Sequence, residues 1–106
     1  MNSKAYGTYL IQLRNGVYKL LPMREGYDKG EDNHLGEYLD RLIEDVTAAQ
    51  KVFPALAEST NYVNIIVILN ALQTQTIKSD FNVWRTKVLK ATRLAAEMSA
   101  EQTGGK

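Results

Sequence analysis

The sequence predicts a single-domain α+β fold that is mostly helical, with an N-terminal β-hairpin packed on, or projecting from, a core of three helices. Three observations lead to this prediction. An Asn-Gly pair separates two apolar-rich runs near the N-terminus, two later segments carry apolar residues at helical spacing, and a nearly continuous apolar stretch lies between those segments. At 106 residues the chain has an ordinary size for one hydrophobic core.

We expect one domain over residues 1–106, made of the hairpin (1–24), a polar loop (25–33), the helical core (34–100) and a frayed tail (101–106). Hydrophobic residues are 44% and charged residues 24% of the chain, as is typical of folded proteins. The absence of cysteine excludes disulfides, thiolate nucleophiles and cysteine-based metal sites. No signal peptide is evident, and no apolar run approaches the roughly 18 to 20 residues of a membrane span. We therefore predict a cytoplasmic protein or a component of an intracellular particle.

Asn15-Gly16 predicts a two-residue turn within a hairpin over about residues 6–21, because both central positions of a type I′ turn need positive φ. The register that follows places one set of residues on the core face: Tyr9, Ile11, Leu13, Tyr18 and Leu20. The opposite face carries Gln12, Arg14, Val17 and Lys19. Pro22 is expected to end the second strand, since it cannot donate a ladder hydrogen bond.

The first helix is predicted over about residues 34–52, with Asp32 or Asn33 as its N-cap. Apolar residues recur there at every third or fourth position: Leu35, Leu39, Leu42, Val46, Ala49 and Phe53. This spacing is typical of a helix that packs on another helix. Because a residue before proline is disfavoured in the helical region, the helix should end before Pro54.

The last helix is predicted over about residues 80–100, with Ser79 or Asp80 as its N-cap. Its apolar positions again recur at three and four: Phe81, Trp84, Val88, Ala91, Ala95 and Met98. The two amphipathic helices need an apolar partner between them.

That partner is the segment Tyr62–Leu72, in which only Asn64 and Asn70 interrupt an apolar run. Its β-branched residues favour a buried strand that pairs with the hairpin. The capping residues before it (Ser59, Thr60 or Asn61) and its overall length favour a helix over about residues 61–75, buried almost all round. We favour the helix, although periodicity alone does not separate the two.

Charge is segregated along the chain, although the net charge is only +1. Residues 1–24 carry four basic residues and no acidic one, residues 25–58 carry nine acidic and three basic, and residues 78–93 carry five basic and one acidic. Two interpretations are open. The segments neutralise each other within the fold, or they make a dipolar subunit that stacks head to tail with copies of itself.

Features of enzymes and metal sites are sparse. His34 is the only histidine and has no evident partner for acid–base catalysis. The oxygen-rich loop of Asp28, Glu31, Asp32 and Asn33 does not follow the spacing of a calcium loop. No glycine-rich phosphate loop is present either. We predict no catalytic residue, no metal, no cofactor and no small-molecule substrate.

The function that fits best is a non-enzymatic assembly or adaptor protein that works through homo- or hetero-oligomeric contacts. A small structural component of a phage-like particle is one class of this kind. Tyrosines are frequent anchors of protein interfaces. The candidate interface residues are Tyr6, Tyr9, Tyr18 and Tyr27.

The alternative is a small nucleic-acid-binding or regulatory protein that uses its basic C-terminal helix. Cations on that helix could contact phosphates. The candidates are Arg85, Lys87, Lys90 and Arg93. At about 100° per residue they spread around much of the helix, which weakens this hypothesis.

Overall fold

The computed structural model describes residues 3–31, 33–75 and 80–104, and the regular structure in these ranges is helical throughout. The five α-helices are α1 (Ser3–Tyr18), α2 (Leu20–Asp28), α3 (Leu35–Val52), α4 (Thr60–Gln75) and α5 (Phe81–Gly104), and a short 3-10 helix (Pro54–Glu58) joins α3 to α4. Since these ranges contain no strand, the predicted α+β class is wrong.

The predicted hairpin is the source of that error. Asn15 and Gly16 lie in the last turns of α1, and neither has a positive φ. The buried residues of this region are Leu10, Leu13, Val17, Leu20 and Leu21, and the first four recur at spacings of three, four and three, which follow a helical period. Burial of this apolar stripe outweighs the local turn preference of Asn-Gly.

Pro22 lies in the first turn of a helix here and does not end a strand. It has no N–H to donate to the carbonyl of Tyr18, and its ring crowds that carbonyl, so the helix is interrupted at Lys19. Hydrogen bonds from Lys19 N to Asn15 O (3.1 Å) and from Met23 N to Lys19 O (3.2 Å) continue the helical pattern on both sides. α1 and α2 therefore form one helical arm that is interrupted at Lys19.

The three predicted core helices are present close to their predicted positions. Ser59 caps α4, because its Oγ accepts a hydrogen bond from Tyr62 N at 3.1 Å. Asp80 caps α5 in the same way, with Oδ1 2.6 Å from Asn82 N. Phe53 leaves the helical region at φ −123°, so α3 ends at Val52 as Pro54 predicts.

Two boundaries differ from the prediction. α3 begins after His34, which lies in the left-handed region at φ 56° and makes no side-chain capping bond, while Asn33 donates its amide to Met23 O at 2.7 Å. Asp32, the other predicted cap, lies outside the described residues, as does Ser79. α5 continues to Gly104, past the predicted end near residue 100.

The arm, α3, α4 and α5 pack as an antiparallel four-helix bundle of 45 × 23 × 20 Å. α5 packs against α1 and α4, while α3 packs against α4 and the arm. Within the described ranges the backbones of α3 and α5 do not approach each other, nor do those of α1 and α4. These two pairs are therefore diagonal, and α4 lies between α3 and α5.

Candidate interaction surface

The segment Tyr62–Leu72 is helical, as predicted, but it is not buried all round. Its inner face is fully buried through Tyr62, Ile65, Leu69 and Leu72. On its outer face Val63 is 41% and Val67 59% exposed. The α4 stripe is the exposed row to which these valines belong: Thr60, Val63, Val67, Asn70 and Thr74.

The α4 stripe carries no charge, since none of the 16 residues of α4 is acidic or basic. Its polar side chains are partly satisfied within their own helix. Asn70 Nδ2 donates to Ile66 O at 2.9 Å, and Thr74 Oγ1 donates to Ala71 O at 3.0 Å. These two hydrogen bonds would be kept if a partner covered the surface.

Oppositely charged helices flank the α4 stripe. α3 carries four carboxylates against two cations, Arg41 and Lys51. The carboxylates, all exposed, are Glu37, Asp40, Glu44 and Asp45. α5 carries the four predicted cations in the segment 85–93, of which Lys87 is half-buried and the others are exposed: Arg85, Lys87, Lys90 and Arg93.

The two charged flanks do not pair with each other inside the molecule. In the described part of the chain, the ion pairs join residues three or four positions apart, as in Arg24–Asp28 (2.9 Å), His34–Glu37 (3.2 Å) and Arg93–Glu97 (3.9 Å). No ion pair in these ranges connects α3 to α5. Within these ranges the charges of the two flanks are therefore not neutralised by ion pairs with each other.

Opposite charges lie at the same end of the bundle. Asp40 accepts a hydrogen bond from Gln73, near the C-terminal end of α4, so Asp40 and Glu44 flank that end. Ser59 contacts Met98 Sδ at 4.0 Å, which places the other end of α4 beside the later turns of α5. Lys87 precedes Met98 by about three helical turns and so lies on the same side of α5, facing α4.

The four predicted interface tyrosines do not form one surface. Tyr6 and Tyr9 pack against Phe53, with ring centroids 5.3 and 5.8 Å apart. Tyr27 is half-buried against the core, and of the four only Tyr18 is exposed. Their placement favours a structural role for at least the first pair.

Tyr9 also belongs to a hydrogen-bond chain across the core. Its hydroxyl lies 2.8 Å from that of Tyr62, which donates to Val46 O at 2.6 Å. Burial, and next the hydrogen bond to Tyr9, raise the pKa of Tyr62 well above its ordinary value. Burial likewise raises the pKa of Tyr9. These phenols stay protonated at neutral pH, so they serve as hydrogen-bonding groups.

The basic residues of α5 do not form a single stripe. Arg85 and Lys87 differ by about 200° around the helix, with Lys90 and Arg93 between them. Arg93 is engaged with Glu97 at 3.9 Å. A flat phosphate-binding face therefore does not form along α5.

A cleft of about 320 Å³ lies between the start of α2 and the start of α3. It is lined by residues of both charges: Lys19, Met23, Asn33, His34, Glu37, Tyr38 and Arg41. Lys19 Nζ lies over the Tyr38 ring, 5.4 Å from its centroid. The described ranges hold no group of three or more side chains that could bind a metal ion, and none of their helices is long and apolar enough to cross a membrane.

Comparisons of the chain with protein-family models, with curated proteins and with solved structures gave no match. The α4 stripe is therefore defined by its geometry alone. The sequence did not reveal it because the apolar run was expected to be buried almost all round. The signal was nevertheless present, since Val63, Val67 and Asn70 follow each other at helical spacing opposite the buried residues.

Proposed function

We propose that the chain is a non-enzymatic assembly or adaptor protein that binds another protein through the α4 stripe. The observation that supports this proposal is the outer face of α4, where two half-exposed valines lie in an uncharged row between an acidic and a basic helix. Solvated helix faces normally carry charged residues, as α3 does. An uncharged outer face is typical of a surface that a partner covers.

The α4 stripe supplies only part of the binding free energy. Burying a whole valine side chain contributes about 1.5–3 kcal/mol, so two half-exposed valines contribute about 1.5–3 kcal/mol together. Stable interfaces bury roughly 1,200–2,000 Å² in total, more than one helix face offers. The partner must therefore also contact the flanks on α3 and α5, where complementary charges would orient it.

Site-specific photo-crosslinking tests this proposal. A benzophenone amino acid replaces Val67 in one variant, and in a control variant it replaces Gln12, which is exposed on α1, diagonally across the bundle. In extracts of the cells that naturally make the chain, we expect protein adducts at position 67 that Val63→Glu suppresses. Equal adducts at both positions would contradict the proposal.

Nucleic-acid binding through α5 is the second candidate. Arg85 and Lys90 support it, because both are exposed and form no ion pair within the described residues. It predicts salt-dependent binding of DNA or RNA that weakens when Lys87, Lys90 and Arg93 are changed to Gln. Binding that is insensitive to these changes would exclude it.

A further inference from the structure

We propose that the partner of the α4 stripe is a second copy of this chain, related by a two-fold axis that runs parallel to α4. This inference rests on the proposed function and names its partner. It starts from the order of three helices, in which α4 separates the acidic α3 from the basic α5.

Symmetry leaves two simple ways of placing two α4 stripes face to face. If the two-fold axis is parallel to α4, the two α4 helices run in the same direction and α3 of each copy faces α5 of the other. If the axis is perpendicular to α4, the helices run in opposite directions, and α3 then faces α3 while α5 faces α5.

Charge complementarity favours the parallel arrangement. Asp40 and Glu44 lie at the same end of the bundle as Lys87, which faces α4, and Lys90 is one turn further along. The parallel dimer therefore brings carboxylates level with ammonium groups twice, once on each side of the α4 contact. The antiparallel dimer brings helices of like charge together, which weakens association.

This arrangement differs from the head-to-tail stacking that charge segregation alone suggests. A two-fold axis uses the same surface on both copies, so the contact closes at two subunits. The uncharged α4 stripe meets itself at the centre, and the charged flanks surround it. We expect a dimer that weakens about tenfold between 0.05 and 0.5 M salt, since exposed ion pairs are screened.

Disulfide trapping distinguishes the two arrangements, and the chain has no cysteine of its own to interfere. Thr60 and Thr74 stand at opposite ends of the α4 stripe, about 21 Å apart at about 1.5 Å per residue. A disulfide needs Cα atoms within about 4–7 Å of each other. In the parallel dimer, position 60 of one subunit lies beside position 60 of the other, and the same holds for position 74. Each single variant, Thr60→Cys or Thr74→Cys, therefore forms a disulfide between its two subunits. In the antiparallel dimer, only a mixture of the two variants forms one.

Full-length single-cysteine variants are oxidised mildly and resolved by mass, with Gln12→Cys on α1 as the control. We expect Thr60→Cys and Thr74→Cys to dimerise at least tenfold faster than the control. If a disulfide dimer forms only when the two threonine variants are mixed, the parallel axis is overturned. If neither threonine variant forms a disulfide dimer faster than the Gln12→Cys control, a second copy is not the partner. Crosslinks from position 67 to other proteins would in that case still support the proposed function.

Discussion

Gly16→Ala separates the helical structure from the hairpin that the local sequence suggests. Gly16 lies within α1, where replacing glycine by alanine stabilises a helix by about 0.5–1 kcal/mol. An added Cβ would lie 3.5 Å from Tyr38 Oη and 3.8 Å from Leu42 Cδ1, which are ordinary contacts. We therefore expect the free energy of unfolding to rise by about 1 kcal/mol, and the Tm by about 4–8 °C.

Urea denaturation followed by fluorescence measures this change directly. Trp84 is the only tryptophan and is fully buried, so its emission reports unfolding of the core. Gly30→Ala is the matched control, because Gly30 has φ 91° and alanine there is strained and destabilising. If position 16 were in a type I′ turn, Gly16→Ala would also destabilise. A loss of stability in both variants would refute a helix at residues 3–18.

Three further predictions concern the core and the proposed interface. Tyr62→Phe removes hydrogen bonds to Tyr9 and Val46, so we expect urea denaturation to show a loss of about 1–2 kcal/mol, against almost none for Tyr18→Phe at an exposed position. Burial raises the folded pKa of Tyr62, so above about pH 10 the unfolded chain releases a proton that the folded chain keeps. The contribution of Tyr62 to the free energy of unfolding is then constant near neutral pH and falls above pH 10 by up to about 1.4 kcal/mol per pH unit; a slope unchanged by Tyr62→Phe would contradict this origin. Val67→Glu should abolish self-association in sedimentation experiments while changing stability by less than about 0.5 kcal/mol, and a dimer as tight as wild type would contradict the interface.

The helical core was predictable because several local signals agree. Apolar spacing identified α3 and α5, and short runs of capping residues marked the starts of α4 and α5, where Ser59 and Asp80 are the residues that cap. Pro54 marked the end of α3, where Phe53 leaves the helical region. Each of these signals acts within a few residues, so sequence alone is enough to interpret it.

The N-terminal region was misinterpreted because its apolar residues fit both the alternation of a strand and the spacing of a helix. Residues around Asn15-Gly16 alternate well enough for a strand, and the pair itself favours a turn. The helical spacing of Leu10, Leu13 and Val17 was the stronger signal, since all three are buried against other helices. That advantage depends on residues distant in sequence, which a local turn rule does not include.

The candidate surface depended on knowledge of which helices are neighbours. The charge segregation was visible in the sequence. The sequence did not show, however, that α3 and α5 are diagonal and lie on either side of α4. The exposure of Val63 and Val67 likewise follows from a bundle that covers only one side of α4. The role of Tyr9 also depended on its neighbours, because its hydroxyl forms a hydrogen bond across the core.

The parallel dimer is tested most directly by sedimentation equilibrium of charge-swapped variants. One variant carries Asp40→Lys and Glu44→Lys, a second carries Lys87→Glu and Lys90→Glu, and a third carries all four changes; circular dichroism checks that each is folded. The wild type should be a dimer, each double variant a monomer because like charges then face each other, and the fourfold variant a dimer again. A fourfold variant that stays monomeric while the wild type dimerises would contradict the parallel axis, and a monomeric wild type would contradict self-association.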